Sequence, residues 1–175
     1  IRDHCVTGVQ TCALPISARA WPVLERLVRE GDPLLREAVA TAILSWATHP
    51  PVLDTLTHDP EPAIRAVAAL ALGASGAPVE QITPLLLDDS ALVRFDAADA
   101  LSRRPPDAVR PALLATWRAG TFPTPAARRL VLELLIRAGG KEVAPIVAAV
   151  AAKDADPWAQ RKARLATEPR FPWEP

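Results

Sequence analysis

Arginine and aspartate are the side chains of this sequence best placed to bind charge. Arg36, Arg65, Arg94, Arg128 and Arg161 recur along it, with Asp32, Asp59, Asp88 and Asp156 standing before four of the five. A bare column of guanidinium groups would hold phosphate or carboxylate. A column in which aspartates accompany the arginines has little net field, and its chemistry is structural: charge-assisted hydrogen bonds that fix the register of neighbouring segments. His4, Cys5 and Cys12 could ligate a metal, or the two cysteines could form a disulfide. Their spacing fits no common zinc pattern, and two cysteines alone make a weak disulfide framework. His49 and His58 could serve as base or ligand, but no cysteine or further histidine completes a site, so solvated turn residues are expected. Trp21, Trp46, Trp117, Trp158 and Trp173 could form an aromatic cage or a base-stacking surface. They share no repeat position, and packing at helix ends is the expected role. The sequence has no Gly-rich phosphate loop, nucleophile elbow or HExxH. No catalytic residue, metal or cofactor is implied.

The elements that carry the arginines are helices. Half of the 175 residues are apolar and only 5% are aromatic, so small aliphatic side chains dominate, as in close-packed helices rather than strands. In His58–Gly73, HDPEPAIRAVAALALG, the apolar residues Ile64, Val67, Ala68, Ala71 and Leu72 recur at three- and four-residue steps, marking one buried stripe. Looser copies of this unit precede and follow it. The arginines are separated by 29, 29, 34 and 33 residues, and Pro22, Pro51, Pro78, Pro111 and Pro145 each precede the matching arginine by 14 to 17 residues. Each unit therefore reads as a proline-led helix, an acidic turn and a second helix. The sequence predicts an all-α fold, a right-handed α-solenoid of about five helix pairs. The units lie near 18–48, 50–75, 77–104, 106–139 and 141–168, followed by a proline-rich tail over 169–175.

Finer expectations follow from local chemistry. Helices are expected over Trp21–Glu30 and from Pro33 to about Ala47, with Gly31 ending the first in a left-handed conformation and Asp32 capping the second. Pro84 should kink or delay the first helix of the third unit. The turn GTFPTP of the fourth unit lacks the aspartate, and Thr124 is the substitute cap.

The pattern resembles HEAT repeats, particularly the short variety also found in phycobilisome-lyase-type proteins. The matching stretches are GDPLLREAVATAIL, DPEPAIRAVAALALG and DDSALVRFDAADAL in the first three units. In HEAT proteins the arginine and aspartate are structural, so the resemblance implies a ladder of Asp32, Arg36, Asp59, Arg65, Asp88, Arg94, Arg128, Asp156 and Arg161. It also implies a non-enzymatic scaffold for protein partners. Some HEAT-like proteins are DNA glycosylases for alkylated bases, and the repeat type also brings bilin lyases to mind. The first need a basic concave groove, and no nucleophile or chromophore motif supports the second.

Residues 1–17 stand apart. They hold both cysteines and lack helical periodicity, and Val6–Ile16, VTGVQTCALPI, resembles a translated sequencing-library adapter. They are expected to be an artefact joined to a fragment of a longer gene; the absence of any methionine means either that an initiator was removed or that the reading frame is an open fragment. The compartment stays open, with the cytoplasm as the default expectation. Acidic and basic residues number 20 each, so bulk charge implies neither a polyanionic partner nor an anionic membrane surface, and no apolar run is long enough to span a membrane.

Second helices usually line the concave surface of a solenoid. Residues one past each arginine, Glu37, Ala66, Phe95, Arg129 and Lys162, should point outward there, with Thr41, Leu70, Asp99, Glu133 and Ala166 one turn on. This strip is acidic at its start, apolar in the middle and basic towards its end. Phe95 beside Leu70 is the expected anchor for a protein partner.

Overall fold

The computed structural model describes residues 20–46 and 50–168, and among these every regular element is helical. The first helix pair is α1 (Trp21–Glu30) and α2 (Pro33–Trp46); the second is α3 (Val52–Leu56) and α4 (Pro62–Ala74). In the third, α5 (Val79–Ile82) passes into a 3-10 turn (Thr83–Leu87) before α6 (Ala91–Ser102). The fourth is α7 (Pro106–Ala119) with α8 (Pro125–Ala138), and the fifth α9 (Ala144–Ala152) with α10 (Pro157–Thr167). The array is an α-solenoid with one continuous core running from Val28 to Ala163. Residues 1–17, His49 and the tail from 169 lie outside the described residues, as do the adapter, metal and disulfide readings that rest on them.

The pairs stack because no two-helix unit can bury its apolar stripe alone. On α4, Ile64, Ala66, Ala68, Ala69, Ala71 and Leu72 are all buried, since the helix is flanked by α2 on one side and α6 on the other. Its small side chains let the neighbours come close. A Cβ on Gly73 would lie 2.7 Å from that of Ala100, so glycine is what permits this approach of α4 to α6. Packing is most extensive between α4 and α6 and between α2 and α4, whereas α6 touches α8 only lightly.

Some local expectations are corrected and others, the caps at Thr124 and Asp32, are met. Gly31 is extended (φ −75°, ψ 156°), not left-handed; its missing side chain matters because a Cβ there would lie 2.2 Å from the Leu27 carbonyl oxygen. Pro111 does not lead its helix. It sits inside α7, where Pro106 holds the first position, because the regular proline spacing is displaced in the fourth unit. Pro84 falls in the 3-10 turn, which ends the α-helical stretch after Ile82. Thr124 caps α8, its hydroxyl accepting from the Ala127 amide at 3.1 Å. Asp32 caps α2 in the same way, accepting from the Leu35 amide at 2.9 Å.

Candidate functional site: the arginine rungs and the second-helix face

The fourth residue of each second helix sets the register of the array: Arg36, Arg65, Arg94, Arg128 and Gln160. Arg36 donates from Nε and Nη2 to Asp59 at 2.7 and 3.1 Å, and from Nη1 to the Gly31 carbonyl at 3.0 Å. Arg65 repeats the arrangement one unit on. Its Nε and Nη2 each reach Asp88 at 2.8 Å, Nη2 also reaches Asp89, and Nη1 bonds the Asp59 carbonyl at 2.8 Å. Each guanidinium thus spans from its own turn to the next, joining two units through a bidentate pair. Asp59 and Asp88 do not cap their helices directly. They accept from the amides of Glu61 and Ser90, ordering the turn that leads in.

Burial pushes the Asp59 and Asp88 carboxyls up, but hydrogen bonds from Arg36 and Arg65 and from those amides outweigh it. Both carboxyls therefore sit below the ordinary carboxylate range. Asp154 is also lowered, chiefly by the hydrogen bond from Arg128, against the opposing effect of burial.

Three ladder residues occupy places other than those expected. Arg128 bonds Asp154, not Asp156, through both of its Nη atoms. Asp154 stands three residues before its helix, as Asp59 and Asp88 do, whereas Asp156 stands immediately before α10 and caps it through the Trp158 amide at 3.0 Å. Asp156 pairs instead with Arg129, at 2.6 and 2.9 Å. Arg161 is one residue out of register and exposed; the rung position is Gln160, which donates to the Ala152 carbonyl at 3.4 Å.

The largest departure is at Arg94. Its side chain is 7% exposed, and Nη1 donates to the Asp88 and Asp89 carbonyls at 2.7 and 2.8 Å. Among the described residues no carboxylate meets its Nε and Nη2. Phe122 occupies the place, three residues before α8, where the other turns carry the rung aspartate. Phe122 packs on Trp117 (ring centroids 5.7 Å apart), and the Arg128 guanidinium lies 4.9 Å over the Trp117 ring.

Residues 49–123 match the family model for HEAT repeats, a span from α3 to the turn after α7. Over that stretch the chain is built of HEAT repeats. No curated protein matches it.

Along the whole array the expected partner face divides into three parts. At its start Glu37 and Thr41 are exposed on α2, beside Leu34, which is 78% exposed. In the middle Ala66 is buried, contrary to expectation, because α2 and α6 close over that side of α4; Leu70 is half-buried. Phe95 is 68% exposed on α6, and Leu92, one turn before it, is 50% exposed. Leu92 escaped the sequence reading because only positions after the arginine were projected outward; its i, i+3 spacing from Phe95 was the available signal. Asp99 is held by Arg103 at 2.7 Å, and burial, then the Asp99 charge, pushes the neighbouring Asp96 carboxyl up.

Towards the end of the strip the residues engage one another. Lys162 bonds Glu133 at 2.7 Å, Arg129 bonds Asp156, and both cations lie over the Trp158 ring, at 5.7 and 5.6 Å. A shallow recess of about 780 Å³ opens between the turns of the fourth and fifth pairs, lined by Phe122, Arg128, Arg129, Lys153, Asp154 and Asp156. Its arginines are already matched by carboxylates, which leaves little field for an anion. His58 is a turn residue, with Nδ1 2.9 Å from the Asp54 carbonyl and 3.0 Å from the Thr57 hydroxyl. Trp21 and Trp46 meet edge to face at 6.4 Å, joining the two helices of the first pair at their ends.

Proposed function

We propose that this HEAT array is a non-enzymatic scaffold that docks a protein partner on its second-helix face, centred on Leu92 and Phe95. The observation that carries this reading is the exposure of two large apolar side chains one turn apart on α6, where all the small apolar residues facing the neighbouring helices are covered. A paired apolar anchor inside a polar surround is the usual make-up of a binding hot spot. A duplex-DNA groove is the weaker reading. Arg36, Arg65, Arg128 and Arg129 all sit against aspartates, and Asp96 and Asp99 share the exposed face of α6.

The test pans the immobilised chain against a phage-displayed library of random dodecapeptides. Clones retained by the wild type should be lost with Phe95→Glu or Leu92→Glu while the far-UV helical signal is unchanged. Retention indifferent to both substitutions would remove this face from the reading.

A further inference from the structure

We propose that the seam between the third and fourth helix pairs is a receptor for a carboxylate, supplied by an acidic residue of the docked protein and held by the open edge of Arg94. The rung at this seam is half-built. Arg36, Arg65 and Arg128 each present two nitrogens to an aspartate of the following turn, and Arg94 presents the same groups at the same helix position. Phe122 stands where the aspartate would, so Nε and Nη2 of Arg94 have no protein acceptor among the described residues. They are nonetheless not sealed in: the buried side-chain polar atoms without a partner are Gln81 Oε1 and Arg104 Nε, not those of Arg94. An arginine more than nine-tenths buried, fixed through Nη1 to two carbonyls and with Nε and Nη2 not fully closed off, is pre-organised for a planar two-oxygen acceptor.

The chemistry selects the ligand. Arg94 directly precedes Phe95 on α6, so a fixed cation and an exposed aromatic side chain occupy neighbouring sectors of the helix surface. A peptide with Asp or Glu next to an aromatic or branched apolar residue complements both. A nucleic-acid backbone does not, because Asp96 and Asp99 stand on the exposed face beside Phe95. This inference rests on the reading of α6 as the docking face, and its test separates the two.

The same dodecapeptide library is panned on the wild type and on Arg94→Gln and Phe122→Asp. Phe122→Asp restores the residue type that the other turns carry and so gives Arg94 an internal partner, leaving Arg94 and Phe95 in place. Peptides retained by the wild type should share an acidic residue adjacent to an apolar one. Changing that acid to its amide should weaken binding roughly tenfold on the wild type and hardly at all on Phe122→Asp. Retained peptides that depend on Phe95 but not on any acid, or whose preference for an acid persists in both variants, would overturn the carboxylate site and leave the docking face standing. Retention indifferent to Phe95→Glu would overturn both. Duplex DNA held by the wild type and released by Phe122→Asp would assign the Arg94 edge to phosphate and overturn the peptide site.

Discussion

The two ends of this array hold their repeats together in different ways. In the second and third pairs the first helices are short, α3 having five residues and α5 four before its 3-10 turn, and cohesion comes from α2, α4 and α6 lying side by side. Rungs from Arg36 and Arg65 then tie turn to turn. In the fourth and fifth pairs the first helices are longer, and α7 packs on α8 and α9 on α10 as hairpins. There the rung from Arg128 is joined by a second pair, Arg129 with Asp156, and by the stack on Trp158. Between the two regions lies the seam where Arg94 meets no aspartate side chain among the described residues. The same helix position therefore carries an inter-repeat bond in one place and an open cation in another, and only the following turn decides which.

Substitutions can break or sharpen that contrast. Arg65→Ala should cost most, about 2–4 kcal/mol, because it strands the partly buried Asp88 as well as removing the bonds to the turn. Arg94→Ala, which loses two carbonyl contacts and the packing of its stem but strands no carboxylate, should cost less; equal shifts in denaturation midpoint would erase the distinction between the seams. Gly73→Ala should cost about 1–2 kcal/mol by forcing α4 away from Ala100, despite the gain in helix propensity, and a more stable variant would contradict the close approach.

Acid should act next. The Asp59, Asp88 and Asp154 carboxyls lie lower in the folded chain than in the unfolded one, so their contribution is present above about pH 4, the unfolded value. It is lost as pH falls through the folded values. Melting temperature measured across that range should drop, and Asp88→Asn should flatten the slope. Asp96 runs the other way: its raised carboxyl opposes folding while ionised and ceases to do so once protonated. Asp96→Asn should therefore stabilise at neutral pH and have no effect in acid. Smallest of all, Lys162→Ala should cost at most about 0.5 kcal/mol, since its pair with Glu133 is well exposed.

Periodicity made the helices legible, and with them the outward position of Phe95, because apolar spacing and caps are written locally. The bounds of α1 match the expected ones, and α2 begins at Pro33 as expected. Register between units was less legible. Aligning on arginine identity chose Arg161 over Gln160, a one-residue slip that turns a side chain by about 100° around its helix and changes which residues line the face. Counting back from the helix start would have found both Gln160 and Asp154, and would have shown Phe122 standing in an aspartate's place. Burial of Ala66 had no signal in its own segment; it depends on how closely two other helices approach α4.

Trp117 gives the fourth pair an optical consequence. Its indole lies against Phe122 and under the Arg128 guanidinium, at the boundary between the region stacked side by side and the region built from hairpins. In a nearly one-dimensional array unfolding passes from one repeat to the next, so each pair can loosen in turn. Trp117, Phe122 and Arg128 all belong to the fourth pair, so the emission of this indole would report the loosening of the α7–α8 hairpin as Phe122 leaves it.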